Sequence, residues 1–259
     1  MDSPTIAIIG GSGIESAFET STDVEIKVAY KSHSKQVKKA FLAKEINIAG
    51  SSFLYVNRYK VGIESGKEKY HPHEIDYKTI MVGLYQAGIK KIISFSKVGS
   101  LQKEWSAGTI VLLSDCIDLV NRDITLDDLG TDVADMSSPF SQELSAAIKK
   151  SAKQANVEIF TDCTHVVMVD GSRLETPAEI QMLKNMVTGN IVVGMIASTE
   201  AQLAKILGME FAALVIITNY AAGMRGEINK SIIEGGFEKA LPKVAKLLKA
   251  TVNNLSMQT

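Results

Sequence analysis

Short apolar runs alternate along this chain with stretches of helical periodicity, and that alternation leaves few folds open. The runs are Thr5 to Ile9, Phe53 to Val56, Lys91 to Phe95, Thr109 to Leu113, His165 to Val169, Ile191 to Met195 and Phe211 to Thr218, bounded by Gly, Ser, Asp or Asn. Between them Ile75 to Ala87, Ser141 to Gln154, Pro177 to Met186 and Thr199 to Leu207 repeat at helical spacing, as does a last stretch carrying Phe237, Leu241, Val244, Leu248, Val252 and Leu255. Strands that alternate with helices form an α/β sheet with crossover helices on its faces. Pro242 interrupts the last pattern and is expected to start or kink that helix, because proline lacks a backbone donor. Asn121 to Pro139, rich in Asp, Thr and Ser, is expected to be a long loop.

The 259 residues carry no repeat or low-complexity linker that would divide them, so one domain over 1–259 is the expectation. With 28 basic against 29 acidic side chains there is no charge field to attract nucleic acid or an anionic membrane, which points to a small-molecule partner. Two cysteines, Cys116 and Cys163, are too few for a disulfide framework and read as small buried hydrophobes. Met1-Asp2-Ser3-Pro4 lacks the basic start and apolar run of a signal peptide, so the expected address is cytoplasmic.

Three segments offer chemistry. Gly10-Gly11-Ser12-Gly13 follows an apolar strand and presents unobstructed backbone N–H groups and a hydroxyl, suited to a phosphate, although a plain turn has the same composition. In Ser172-Arg173-Leu174-Glu175-Thr176-Pro177-Ala178-Glu179, Thr176 and Glu179 make a capping box with Pro177 at the first helical position. Glu175 is thereby left just outside the helix, as a ligand acceptor or a solvated side chain. The apolar run ending at Thr218 gives way to Asn219-Tyr220-Ala221-Ala222-Gly223, where Asn219 carries a donor and an acceptor beyond a strand's carboxyl end. The same asparagine also suits a simple turn. His71 and His73 flank Pro72 with no further cluster of metal ligands, so no metal is expected.

In chain order, Ile8-Ile9-Gly10-Gly11-Ser12-Gly13, Pro72-His73-Glu74-Ile75-Asp76-Tyr77, Val98-Gly99-Ser100-Leu101, Glu175-Thr176-Pro177-Ala178-Glu179, Val193-Gly194-Met195 and Thr218-Asn219-Tyr220-Ala221-Ala222-Gly223 resemble the successive signatures of the trimeric purine nucleoside and methylthioadenosine phosphorylases. The resemblance implies a single three-layer α/β domain with a large mixed central sheet flanked by helices. It implies phosphorolysis of a purine nucleoside to free base and ribose 1-phosphate, with inorganic phosphate as co-substrate and no metal or organic cofactor. It also implies a homotrimer or a dimer of trimers. By the same resemblance Ser12, Arg58, Ser96 and Lys97 hold phosphate, Met195 and Leu174 pack against the nucleoside, and Glu175 and Asn219 read the base. Asn229 stands near the 5′ group.

Asn219 and Ala221 occupy positions where relatives acting on 6-aminopurines usually carry aspartates. Asparagine donates to N7 and to O6, so the pattern implies a 6-oxopurine nucleoside, with a 5′-methylthio form left open. The departures fall on the phosphate side. Arg58 is followed by Tyr59-Lys60 instead of His-Gly, Lys97 replaces a small residue, and Ile196 replaces a Ser or Thr. Lys97 either supplies a replacement positive charge or pairs with a carboxylate and fills the anion site. Two further readings stand beside the phosphorylase of 6-oxopurine nucleosides. One is a methylthioadenosine phosphorylase or nucleosidase, the other a non-catalytic nucleoside-binding paralogue.

Overall fold

A computed structural model describes residues 4–11, 13–17, 21–48, 51–62, 70–131 and 133–256. A ten-stranded mixed sheet forms the centre. Strand β1 (Ile6–Gly10) lies parallel to both β4 (Ser51–Asn57) and β5 (Lys91–Ser100). On the β4 side the antiparallel strands β2 (Ser21–Ser32) and β3 (Lys35–Ile48) extend the sheet to one edge. On the other side the order continues through β9 (Asn190–Val193) and β8 (Cys163–Val167) to β7 (Asp115–Asp118). Strand β10 (Glu210–Tyr220) runs parallel to β5 along its length and carries the short antiparallel β6 (Ile110–Leu112).

The two faces of β1 show why the apolar runs are unbroken. Ala7 and Ile9 point into one core, with Ile80, Met81 and Leu84 of α1 (Tyr77–Gln86) and Leu203 of α4 (Ala197–Ile206). Ile6 and Ile8 point into the other, with Leu144 and Ile148 of α2 (Gln142–Gln154) and Val244 and Leu248 of α5 (Lys230–Ser256). Successive residues of a strand face opposite ways, so a strand covered by helices on both sides must be apolar throughout. The helix α3 (Pro177–Met186) packs Ile180 and Leu183 into a third, smaller core with Val193 and Ala221.

Each expected run and helical stretch contains an element of the expected type, and the described residues of 119–140 carry no helix or strand. Two features differ. The hairpin β2–β3 had no counterpart in the apolar runs, because only one face of β2 is buried, through Ile26, Val28 and Tyr30. Its turn is formed by His33 and Ser34, with φ of 50° and 61°, the paired positive values that match the twist of a two-residue hairpin. Pro242 neither starts nor ends α5, which continues through it. Pro242 and Glu238, whose carbonyl loses its helical partner, are both exposed, so water can take the place of the missing N–H.

Candidate active site

The site opens where β5 changes neighbours. Lys91 to Ser94 pair with β1, while Gly99 and Ser100 pair antiparallel with β9. Phe95 to Val98 have no strand on that side, and the gap lies just beyond the carboxyl end of β1. Ligands collect at such switch points of α/β sheets. Two connected cavities occupy it, sharing Tyr59, Pro72 and Lys97 as common walls.

The first cavity, about 180 Å³, is lined by Gly11, Arg58, Tyr59, Tyr70, His71, Pro72, Phe95, Ser96, Lys97 and Phe237. Ser96 Oγ is buried and makes no hydrogen bond among the described residues, which leaves a donor and acceptor for an occupant. Lys97 Nζ stands 4.5 Å from the centroid of the Phe237 ring. The same ring sits against Gly13, where a Cβ would come within 2.7 Å of it and where φ is +106°. Gly11 meets Tyr59 in the same way. Gly11 and Gly13 each lie against an aromatic ring that an added Cβ would strike, and at Gly13 the positive φ also favours glycine.

Arg58 has a different environment from the other wall residues. Its side chain is 1% exposed, as is that of Glu200, and Nε donates to Glu200 Oε1 at 2.8 Å. Nη1 donates to the Phe95 carbonyl, and Nη2 reaches Ser94 Oγ, Glu200 Oε2 and the Ile9 carbonyl. At most one N–H, on Nη1, is left for the cavity. The guanidinium charge is already matched by a carboxylate.

The second cavity, about 220 Å³, holds Leu174, Glu175, Met195, Ile196, Asn219, Ile228 and Ile233 among its walls. Thr176 caps α3 by accepting from the Glu179 N–H, and Glu179 returns the bond to the Thr176 N–H. Glu175 is thereby fixed at the mouth of the helix, 8% exposed, and burial raises its carboxyl above the ordinary glutamate value. Asn219 is aimed by a bulge. Ile217 pairs with Val98 and Asn219 with Gly99, leaving Thr218 as the extra residue. The Thr218 hydroxyl donates to Asn219 Oδ1 at 2.8 Å, and Asn219 Nδ2 donates to the Tyr220 carbonyl at 2.9 Å. A carbonyl only accepts, so the nitrogen is fixed on that side, with one N–H remaining for an occupant. Gly223, with φ of +74°, lies against Pro177, where a Cβ would meet the ring at 2.7 Å. That contact holds the loop after β10 to the start of α3 and keeps Glu175 and Asn219 on one cleft.

Beneath the cleft His165 Nδ1 is 2.8 Å from Ser198 Oγ, while Nε2 is buried without a hydrogen bond among the described residues. Gly194 is glycine because a Cβ would fall 2.6 Å from that nitrogen. Burial, with a smaller push from Arg122, lowers the His165 pKa to about 3, so the ring is neutral.

Of the residues singled out from sequence, Arg58, Ser96 and Lys97 line the first cavity, and Leu174, Glu175, Met195 and Asn219 line the second. Ser12 lies outside the described residues. Asn229 is not on the cleft; its side chain accepts the Ile232 N–H at the start of α5, and Ile228 and Ile233 face the cavity instead. The structure adds Tyr59, Phe237, Thr218 and Glu200, none of which sits in a glycine-rich or cap motif. Cys163 is buried and Cys116 half-buried, with burial pushing their thiols up to about 12 and about 11. Among the described residues no group of three or more His, Cys, Asp or Glu is placed to hold a metal, and no helix is long and apolar enough to cross a membrane.

Comparison with known proteins gives one family. The model of the phosphorylase superfamily matches residues 5–253. The chain is 30% identical to the S-methyl-5′-thioadenosine phosphorylase of Pyrococcus abyssi, covering 96% of this chain and 92% of that one. It is also 30% identical to the 6-oxopurine nucleoside phosphorylase of Pyrococcus furiosus, with the same coverage. A probable S-methyl-5′-thioinosine phosphorylase of Thermodesulfovibrio yellowstonii is 28% identical, covering 96% of this chain and 91% of that one. Among solved structures, a methylthioadenosine phosphorylase from Schistosoma mansoni in complex with adenine superposes with a TM-score of 0.83 at 19% identity, over 98% of this chain and 92% of that one.

Proposed function

This chain belongs to the phosphorylase superfamily, and from that premise we propose that it is a pentosyltransferase cleaving a 6-oxopurine nucleoside with inorganic phosphate. The observation that carries the reading is the pair Glu175 and Asn219, fixed by a helix cap and a strand bulge on one cleft. A buried carboxylate accepts the N1–H that a 6-oxopurine has and a 6-aminopurine lacks. The remaining Asn219 Nδ2–H donates to N7.

In the reaction a phosphate oxygen forms a bond to C1′ as the C1′–N9 bond breaks, and the bonding electrons leave with the purine. The sugar becomes cationic and the base anionic. A donor held at N7 is worth more as that charge develops than in the ground state, which lowers the barrier. Met195 and Leu174 provide an apolar floor for the nucleoside, and the phosphate occupies the adjoining cavity at Ser96 and Lys97, with Arg58 beside it. Catalysis of this kind rests on orientation, with phosphate held against one face of C1′.

Ile228 and Ile233 favour a second form of the same reading. With Asn229 committed to the helix, the cleft offers apolar side chains where a polar one was expected, which suits a 5′-methylthio-6-oxopurine nucleoside. Chromatography of inosine, guanosine, methylthioinosine and methylthioadenosine, incubated with and without phosphate, tests both forms. Phosphate-dependent release of hypoxanthine or guanine is expected. Release without phosphate, or from methylthioadenosine alone, overturns the reading. We also propose a homotrimer, for which light scattering at micromolar concentration is expected to give three times the 28.0 kDa chain mass.

A further inference from the structure

We infer that Tyr59 sets the sugar specificity of the site, its phenolic hydroxyl bonding the 2′-hydroxyl of the nucleoside. The inference rests on the phosphorolysis reading for the identity of the two occupants. With phosphate in one cavity and nucleoside in the other, the reacting carbon C1′ lies at their junction, which the residues common to both walls, Tyr59, Pro72 and Lys97, flank. In a β-nucleoside the base occupies one face of the sugar and the 2′- and 3′-hydroxyls the other. Phosphate that displaces the base in line arrives on the hydroxyl face. The 2′-hydroxyl, on the carbon next to C1′, is therefore the sugar group brought to the junction.

Tyr59 is built to meet it. Its N–H donates to Asn57 Oδ1 at 3.2 Å, and its carbonyl accepts from the Tyr70 N–H at 2.8 Å. The ring lies against Gly11, where a Cβ would come within 2.8 Å of Cε2. Backbone and ring are thus both held, yet the hydroxyl makes no hydrogen bond among the described residues. Neighbouring phenols are spent: Tyr55 donates to the Gly11 carbonyl, Tyr70 to the Gly62 carbonyl, and Tyr77 lies within reach of the Pro72 and Met195 carbonyls. Burial raises the Tyr59 pKa above the ordinary tyrosine value, with the Arg58 charge offsetting part of the shift, so the phenol stays protonated at neutral pH. Pro72 has no polar side-chain atom, and the ammonium of Lys97 only donates. Among the shared wall residues Tyr59 alone can meet a hydroxyl as donor or as acceptor. It is also one of the departures from the family pattern on the phosphate side, so the contact belongs to this chain.

The test compares inosine with 2′-deoxyinosine on the full chain, wild type and Tyr59→Phe, measuring binding by calorimetry and base release in the presence of phosphate. Phenylalanine keeps the ring against Gly11 and removes only the hydroxyl. In Tyr59→Phe the preference for inosine over 2′-deoxyinosine, in binding and in kcat/KM, is expected to fall by about three- to tenfold, the worth of one neutral hydrogen bond. A role in packing alone, or toward phosphate alone, changes both nucleosides alike and leaves the preference where it was. A preference unchanged in Tyr59→Phe overturns the inference, as does a wild type that binds neither nucleoside. A change seen only against 3′-deoxyinosine overturns the assignment to the 2′-hydroxyl. If the binding preference falls in protein that releases no base, the sugar contact stands and the phosphorolysis reading falls; base released with an unchanged preference does the reverse.

Discussion

At the scale of single residues, the site is governed by two buried titratable groups with opposite consequences. Burial raises the Glu175 pKa, so the empty folded protein is penalised by the charged carboxylate above that pKa and relieved of it as the pH falls. On the proposed reading nucleoside binding has the opposite sign, because the ionised carboxylate accepts N1–H more strongly than the protonated one. Affinity is therefore expected to be full well above the ordinary glutamate value of about 4.3 and to fall as the pH drops through the raised folded value. The nucleoside KM of Glu175→Gln is expected to be higher throughout and to lack that limb; a wild-type profile that survives the substitution removes Glu175 from base recognition. His165 titrates on the stability side. Its pKa is about 3 when folded and about 6.5 when unfolded, so its contribution is complete above about 6.5 and is lost as the pH falls from there toward 3. At about pH 5 the loss is on the order of 2 kcal/mol, and thermal melts of His165→Gln are expected to show a flatter dependence between about pH 6.5 and 5 than the wild type.

Between elements, the contact that bears on Asn219, the proposed base reader, is the one between α5 and the bulge of β10. Gly236 lies so close that a Cβ would stand 2.5 Å from the Thr218 carbonyl oxygen, whereas a Cβ on Gly235 meets nothing within 4 Å. Adjacent glycines in one helix should thus respond in opposite directions. Gly235→Ala is expected to stabilise by up to about 1 kcal/mol through helix propensity. Gly236→Ala is expected to destabilise by about 1 to 3 kcal/mol and to raise the nucleoside KM, because α5 or the bulge must shift and Asn219 moves with it. Chemical denaturation with kinetics on both variants checks this, and equal behaviour of the two would show that the helix does not bear on the bulge. The sequence showed the strand and the helix but not their contact. Asn219 was legible because an apolar run stopped abruptly before it, while the bulge depends on a register that only pairing with β5 reveals. The hairpin was hidden for a related reason. In β2, Val24, Ile26, Val28 and Tyr30 alternate with Glu25, Lys27, Ala29 and Lys31, the pattern of a half-buried strand near an open edge and not the unbroken apolar run of a strand covered on both faces.

Across the whole molecule, the least legible feature is also the one that joins most of the structure. Arg58 was visible as a candidate anion ligand, but its partner Glu200 lies 142 residues away in a helical pattern that gave it no distinction. Through Arg58 and Glu200 the end of β4 is tied to β1 at Ile9, to β5 at Ser94 and Phe95, and to α4, so one buried pair fastens three adjacent strands to the helix that covers them. The motifs around Glu175 and Asn219 could be read locally because each is a cap or a strand end; this clip could not, because it exists only once the strands are assembled. A buried pair that loses one partner leaves an uncompensated charge, at a cost of about 3 to 5 kcal/mol, whereas replacing both by apolar groups costs far less. Glu200→Gln and Arg58→Met are therefore each expected to lower the melting temperature by on the order of 10 °C. The double variant Arg58→Met, Glu200→Leu is expected to recover most of that loss, because it leaves no unpaired charge buried. A double variant that melts as low as either single variant would show that the hydrogen bonds to Ile9, Ser94 and Phe95, and not the charge balance of the pair, hold the strands together.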